Sequence, residues 1–74
     1  MTRQIPVVPV RLAILRRRDV EGVTGLSRST IYLRCSQGTF PSPIHLGGRA
    51  VGWLEDEIDT WLQEQVAASR KVSQ

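Results

Sequence analysis

Val20-Glu21-Gly22-Val23-Thr24-Gly25-Leu26-Ser27-Arg28-Ser29-Thr30-Ile31-Tyr32-Leu33-Arg34-Cys35, with its continuation to Phe40, decides the fold of this 74-residue chain. A helical pattern over Arg17 to Thr24 runs into Gly25-Leu26-Ser27, and a second helical pattern starts at Arg28 and stops at Gly38. Gly25 can take a positive φ just past the first helix, and Ser27 can cap the free N–H groups of the second. Leu26 is placed to drop into the angle between them. Two helices crossing over a glycine-containing turn of three or four residues form a helix-turn-helix, whose second helix is presented to a DNA groove.

Stepping by 100° per residue from an inward Ile31 puts Cys35 on the same face. Ser29, Leu33 and Ser36 then face outward, with Thr30 and Tyr32 flanking them. Upstream, Val20 and Val23 are expected to point inward from the first helix. Pro6 and Pro9 make Met1 to Val10 an extended arm, and Val10 to Leu15 is expected to add an edge strand.

Pro41-Ser42-Pro43 ends helical geometry downstream. Ile44-His45-Leu46, Gly47-Gly48-Arg49 and Ala50-Val51-Gly52-Trp53 then read as a hairpin. Leu46, Val51 and Trp53 are expected to pin it to the helices, with Ile44 inward and His45 outward. A last helix begins near Leu54, its first turn crowded by Glu55, Asp56 and Glu57, which suit the positive end of the helix dipole. Ile58, Trp61, Leu62 and Val66 supply its apolar stripe. The fold class expected is mainly α with a small β-hairpin: a winged helix-turn-helix of three helices and a two- or three-stranded wing sheet. Residues 1–10 form the arm, 11–69 the domain and 70–74 a flexible tail.

The charge is divided. Residues 1–54 carry eight arginines against Asp19 and Glu21, whereas residues 55–74 carry Arg70 and Lys71 against five carboxylates. Nine of the ten cations are arginine, the side chain best matched to phosphate and guanine edges. A basic front and an acidic back suit a protein that meets nucleic acid with one face. A single cysteine excludes an internal disulfide and fits a reducing cytosol, so a cytoplasmic location is expected. No apolar run spans a membrane, and no Cys/His cluster, nucleophile–base pair or phosphate-binding loop points to an enzyme. No cofactor, metal or small-molecule ligand is expected.

Thr24-Gly25-Leu26-Ser27-Arg28-Ser29-Thr30-Ile31-Tyr32-Leu33-Arg34, Ser36-Gln37-Gly38-Thr39-Phe40-Pro41 and Leu46-Gly47-Gly48-Arg49-Ala50-Val51-Gly52-Trp53-Leu54 together resemble AlpA-type phage and prophage transcriptional regulators. These are small bacterial winged-helix proteins related to phage excisionases and to the DNA-binding heads of MerR-like regulators. The resemblance covers Leu12 to Ser69. It implies sequence-specific binding of double-stranded DNA near phage or prophage genes, either to activate transcription or, as an excisionase-like factor, to bend attachment-site DNA. RNA polymerase or a recombinase would be the matching protein partner, and dimers or cooperative arrays on DNA are expected because one helix and one wing read few base pairs. A protein-binding winged-helix adaptor is the reading from a different class.

The candidate contacts follow from docking geometry. Arg28, Ser29 and Thr30 open the recognition helix, where base edges are normally met. Tyr32 is placed for a phosphate. Leu33 is placed for a thymine methyl, the amino-terminal arm or a second subunit. Arg34 suits a phosphate or a carboxylate, Arg49 at the hairpin tip a neighbouring minor groove, and Arg17 and Arg18 the backbone beside the first helix.

Overall fold

A computed structural model describes residues 12–72. Strand β1 (Ile14–Leu15) leads into α1 (Arg17–Thr24) and α2 (Arg28–Gln37), followed by β2 (Ile44–Gly47), β3 (Ala50–Leu54) and α3 (Glu55–Val72). The strands form one antiparallel sheet ordered β1-β3-β2. With three helices and this sheet as the wing, the chain is a winged helix. The expected arm, and residues 10–11 of the expected edge strand, lie outside the described residues, as do 73–74 of the expected tail.

Local chemistry sets the helix boundaries. The backbone N–H of Arg16 donates to Asp19 Oδ2 at 3.0 Å, opening α1. Gly25 at φ 76° closes α1, donating its N–H to the Glu21 carbonyl. Thr24 reinforces that turn: its hydroxyl donates to the Val20 carbonyl and accepts from the Leu26 N–H. Ser27 Oγ then accepts from the Thr30 N–H at 3.2 Å, capping α2, and Gly38 at φ 78° ends it. Gly25 and Gly38 need the left-handed region that side chains avoid.

Val20, Ile31, Phe40, Trp53 and Ile58 form the core, one residue or more from each of α1, α2, the following loop, β3 and α3. Leu15, Leu26, Cys35, Val51, Trp61 and Leu62 pack around it. Phe40, absent from the expected core, meets Trp61 edge-on at 4.8 Å between ring centres. The Pro41 carbonyl accepts from two sides: the Trp53 indole N–H at 2.9 Å and the Cys35 thiol at 3.6 Å. It thereby joins α2 to β3 through one atom.

Some expectations are corrected. Val23 is 52% exposed and Val66 50%, because the core is small and both lie past its edge. Ile44 is half-buried and His45 exposed, as the alternation predicts, with Ile44 paired to Gly52 and His45 to Val51. A register shift between His45 and Gly47 leaves Leu46, 44% exposed, near Gly52 and Ile14. Leu46 therefore does not pin the wing to the helices. Finally, α3 starts at Glu55, beside the expected Leu54, but stays helical to Val72 where a flexible tail was expected from residue 70, since Ala67 and Ala68 favour helix and no Gly or Pro intervenes.

Candidate nucleic-acid interface

Ser27 aims the first turn of α2 outward. Its cap fixes where the helix starts, and Ile31, fully buried three residues after Arg28, fixes its rotation. Arg28 and Ser29 are left exposed on that turn. Thr30 is half-buried, and its hydroxyl shares a 3.0 Å hydrogen bond with Ser27 Oγ, so it serves the cap as well as the surface. Leu33 is 55% exposed and Ser36 is exposed, with its hydroxyl donating back to the Leu33 carbonyl. The outward face thus carries the expected residues.

Tyr32 is 40% exposed, its ring 6.2 Å from that of Trp53. This contact holds it at the rim of a shallow depression lined also by Arg16, Arg17, Arg18, Asp19 and Arg49. Chain positions from both ends of the domain converge here: the start of α1, the middle of α2 and the tip of the wing. Four arginines meet one carboxylate, and Asp19 is already engaged by the Arg16 N–H. Two backbone glycines, Gly47 at φ 122° and Gly48 at φ 54°, make the turn that brings Arg49 round.

The arginines differ in their freedom. Arg17 is ion-paired with Glu21 one turn along α1, both about a third exposed. Arg18 and Arg49 are exposed. Arg34 is half-buried at the other end of α2, where its carbonyl accepts from the Gly38 and Thr39 N–H groups. The structure therefore brings Arg17, Arg18, Tyr32 and Arg49 together, sets Arg28, Ser29 and Thr30 at the start of the same helix, and leaves Leu33 and Arg34 outside the depression.

Sequence reading missed Arg16 as the brace of the wing. Its Nε–H donates to the Val51 carbonyl at 3.0 Å, across 35 positions in the chain. No local pattern signals so distant a pair. Cys35, half-buried inside α2, has its thiol pKa pushed up by burial, partly offset by the Trp53 indole. No cluster of His, Cys, Asp or Glu among the described residues is arranged to hold a metal ion, and no helix there is long and apolar enough to cross a membrane.

Comparison with known proteins gives this arrangement relatives. The family model described as prophage CP4-57 regulatory protein (AlpA) matches residues 13–66, which takes in β1 through most of α3. The chain is 41% identical over 58 residues to the DNA-binding transcriptional activator AlpA of Escherichia coli K12, covering 70% of this chain and 83% of that one. It is 40% identical over 57 residues to the uncharacterised ORF88 protein of Enterobacteria phage P4, covering 77% of this chain but only 65% of the phage protein. The matched span takes in helix, turn, helix and wing, and the chain belongs to the AlpA family of prophage regulatory proteins.

Proposed function

We propose that this chain is a sequence-specific, double-stranded-DNA-binding transcriptional regulator of phage or prophage genes, acting as an activator. The carrying observation is the bare first turn of α2, with Arg28 and Ser29 exposed while Ile31 in the next turn is buried. Beside it lies the arginine-lined depression that ends at the wing. In this reading α2 enters the major groove, Arg28 bonds a guanine edge, and Ser29 and Thr30 meet bases or phosphates. Arg17, Arg18, Tyr32 and Arg34 hold the backbone, Leu33 packs on a thymine methyl, and Arg49 reaches the adjacent minor groove. The activator assignment is supported by the name of the E. coli relative, and RNA polymerase is the partner that activation calls for. Two copies on repeated half-sites extend the few base pairs one copy reads.

Selection of bound sequences from a random duplex pool, followed by a salt titration on the winner, tests this reading. A defined motif should emerge, and with about four to six phosphates neutralised affinity should fall with a log–log salt slope of about −4 to −5. No enriched motif together with a flat slope would overturn it and favour a protein-binding adaptor. Phased bending at clustered repeats, with no transcriptional effect, would favour the excision factor.

A further inference from the structure

Helix α3 outruns the domain. Its last core-packing residue is Leu62, and residues 63–71 beyond it are all exposed. A helical overhang with nothing packed on it is marginal in water, since burial of one face is what stabilises most helices. Beside the first half of the same helix, a groove runs between α3 and the Gly38–Ile44 loop, and its α3 wall stops at Gln65. Pro41, Pro43, Ile44 and Trp61 supply its apolar lining. Trp61 is held from behind, its indole N–H donating to the Thr39 carbonyl at 2.9 Å and its ring packed on Phe40.

The groove and the overhang share one seam. Glu57, Trp61, Glu64, Ala68 and Lys71 recur at alternating steps of four and three, the spacing that keeps side chains on one line of contact with a second helix. The first three line the groove, and Ala68 and Lys71 carry the same line past its end. Charge fixes the direction in which two such seams can meet. The carboxylates of α3 lie between Glu55 and Glu64, whereas its cations are Arg70 and Lys71. Glu57 and Glu64 are exposed, and no ion pair engages them among the described residues. Parallel copies would set carboxylates against carboxylates. Antiparallel copies set the basic end of each against the acidic start of the other, with the helix dipoles opposed.

We infer that two copies of this chain pair through antiparallel α3 helices, the overhang of each lying in the groove of the other. A register that sets Lys71 between Glu57 and Trp61 of the second copy also sets Ala68 between its Trp61 and Glu64, so the smallest residue of the seam faces the largest. The contact is isologous and closes at two copies. About two helical turns a side make a small interface, of the class that associates weakly, so the pair forms and dissociates with concentration. It uses neither the first turn of α2 nor the arginine-lined depression, and its formation needs no DNA.

The test is sedimentation equilibrium of the full chain without DNA, over a concentration series reaching about 1 mM. The average mass should rise from one chain toward two. Lys71→Glu should weaken the association at least threefold, and adding Glu57→Lys to the same chain should restore it, because the antiparallel pair then re-forms with its charges exchanged. In a mixture of isotopically labelled and unlabelled chains, nuclear Overhauser cross-peaks are expected between the Ala68 methyl of one copy and the Trp61 ring of the other. The buried Trp53 indole signal reports an intact domain in every variant. A single-chain mass across the whole series would overturn the inference. So would an association that Lys71→Glu leaves intact, that the exchanged charges fail to restore, or that brings no Ala68-to-Trp61 cross-peaks between copies.

Discussion

The Arg16 guanidinium donates to the Val51 carbonyl at 3.0 Å, tying the residue that precedes α1 to the strand that carries the wing. Arg16→Ala should loosen the wing at a modest cost of about 1 kcal/mol, the net worth of one accessible hydrogen bond. Thermal melting should show a fall of a few degrees. Affinity for a selected DNA site should fall further than stability, because Arg49 loses its fixed position. Lysine cannot offer the same planar donor and should restore charge without restoring the melting temperature.

The roles proposed for Arg28 and Arg49 differ, a base contact for the first and a minor-groove contact for the second. Arg28→Ala should cost about 1 to 3 kcal/mol at the preferred site and blur sequence choice. Arg49→Ala should weaken binding with less effect on preference. Competition binding against specific and random duplexes distinguishes them, and equal losses on both duplexes for Arg28→Ala would count against its assignment.

Two glycines should respond with opposite signs to alanine. A Cβ on Gly52 would collide with the Ile14 side chain and sit 3.1 Å from the Leu15 carbonyl and 3.2 Å from Leu46 Cδ1. Gly52→Ala should therefore destabilise by about 1 to 3 kcal/mol. Gly22 lies on the exposed side of α1 with open space around its missing Cβ. Gly22→Ala should stabilise by about 0.5 to 1 kcal/mol, since alanine loses less backbone entropy in a helix. Urea denaturation of both variants checks the signs.

Cys35 should be slow to alkylate in the folded chain and fast in denaturant. Its raised pKa means that the folded state keeps the thiol proton to a higher pH than the unfolded state does. Ionisation then favours unfolding, so this group leaves stability unchanged below the ordinary thiol range and lowers it as pH climbs through that range. Cys35→Ser should remove that alkaline limb from the stability profile.

Much of the fold was legible because its boundaries are written in single residues. Gly25, Ser27 and Gly38 mark ends of α1 and α2 by conformational need and capping chemistry. The inward Ile31 and Cys35, and the outward Ser29 and Leu33, follow from helical rotation alone. The hairpin was different. Ile44 and His45 take the half-buried and exposed places that alternation gives them, but the register shift between His45 and Gly47 breaks the pattern at Leu46. Local alternation carries no sign of such a shift, which is set by tertiary packing. Phe40 sits in a stretch with no periodicity, so nothing local announced its burial. The candidate site was legible as a set of residue types, while the meeting of Arg16, Tyr32 and Arg49 depends on contacts between distant parts of the chain.

The doubly bonded carbonyl of Pro41 has a mechanical consequence. Because one backbone atom receives donors from both α2 and the wing strand, those two parts are tied together at one point, like the jaws of a caliper at its pivot. In the proposed binding mode, a duplex whose grooves do not match that pairing would itself have to bend or narrow, so the compliance of a target sequence would enter its selection alongside the bases it displays.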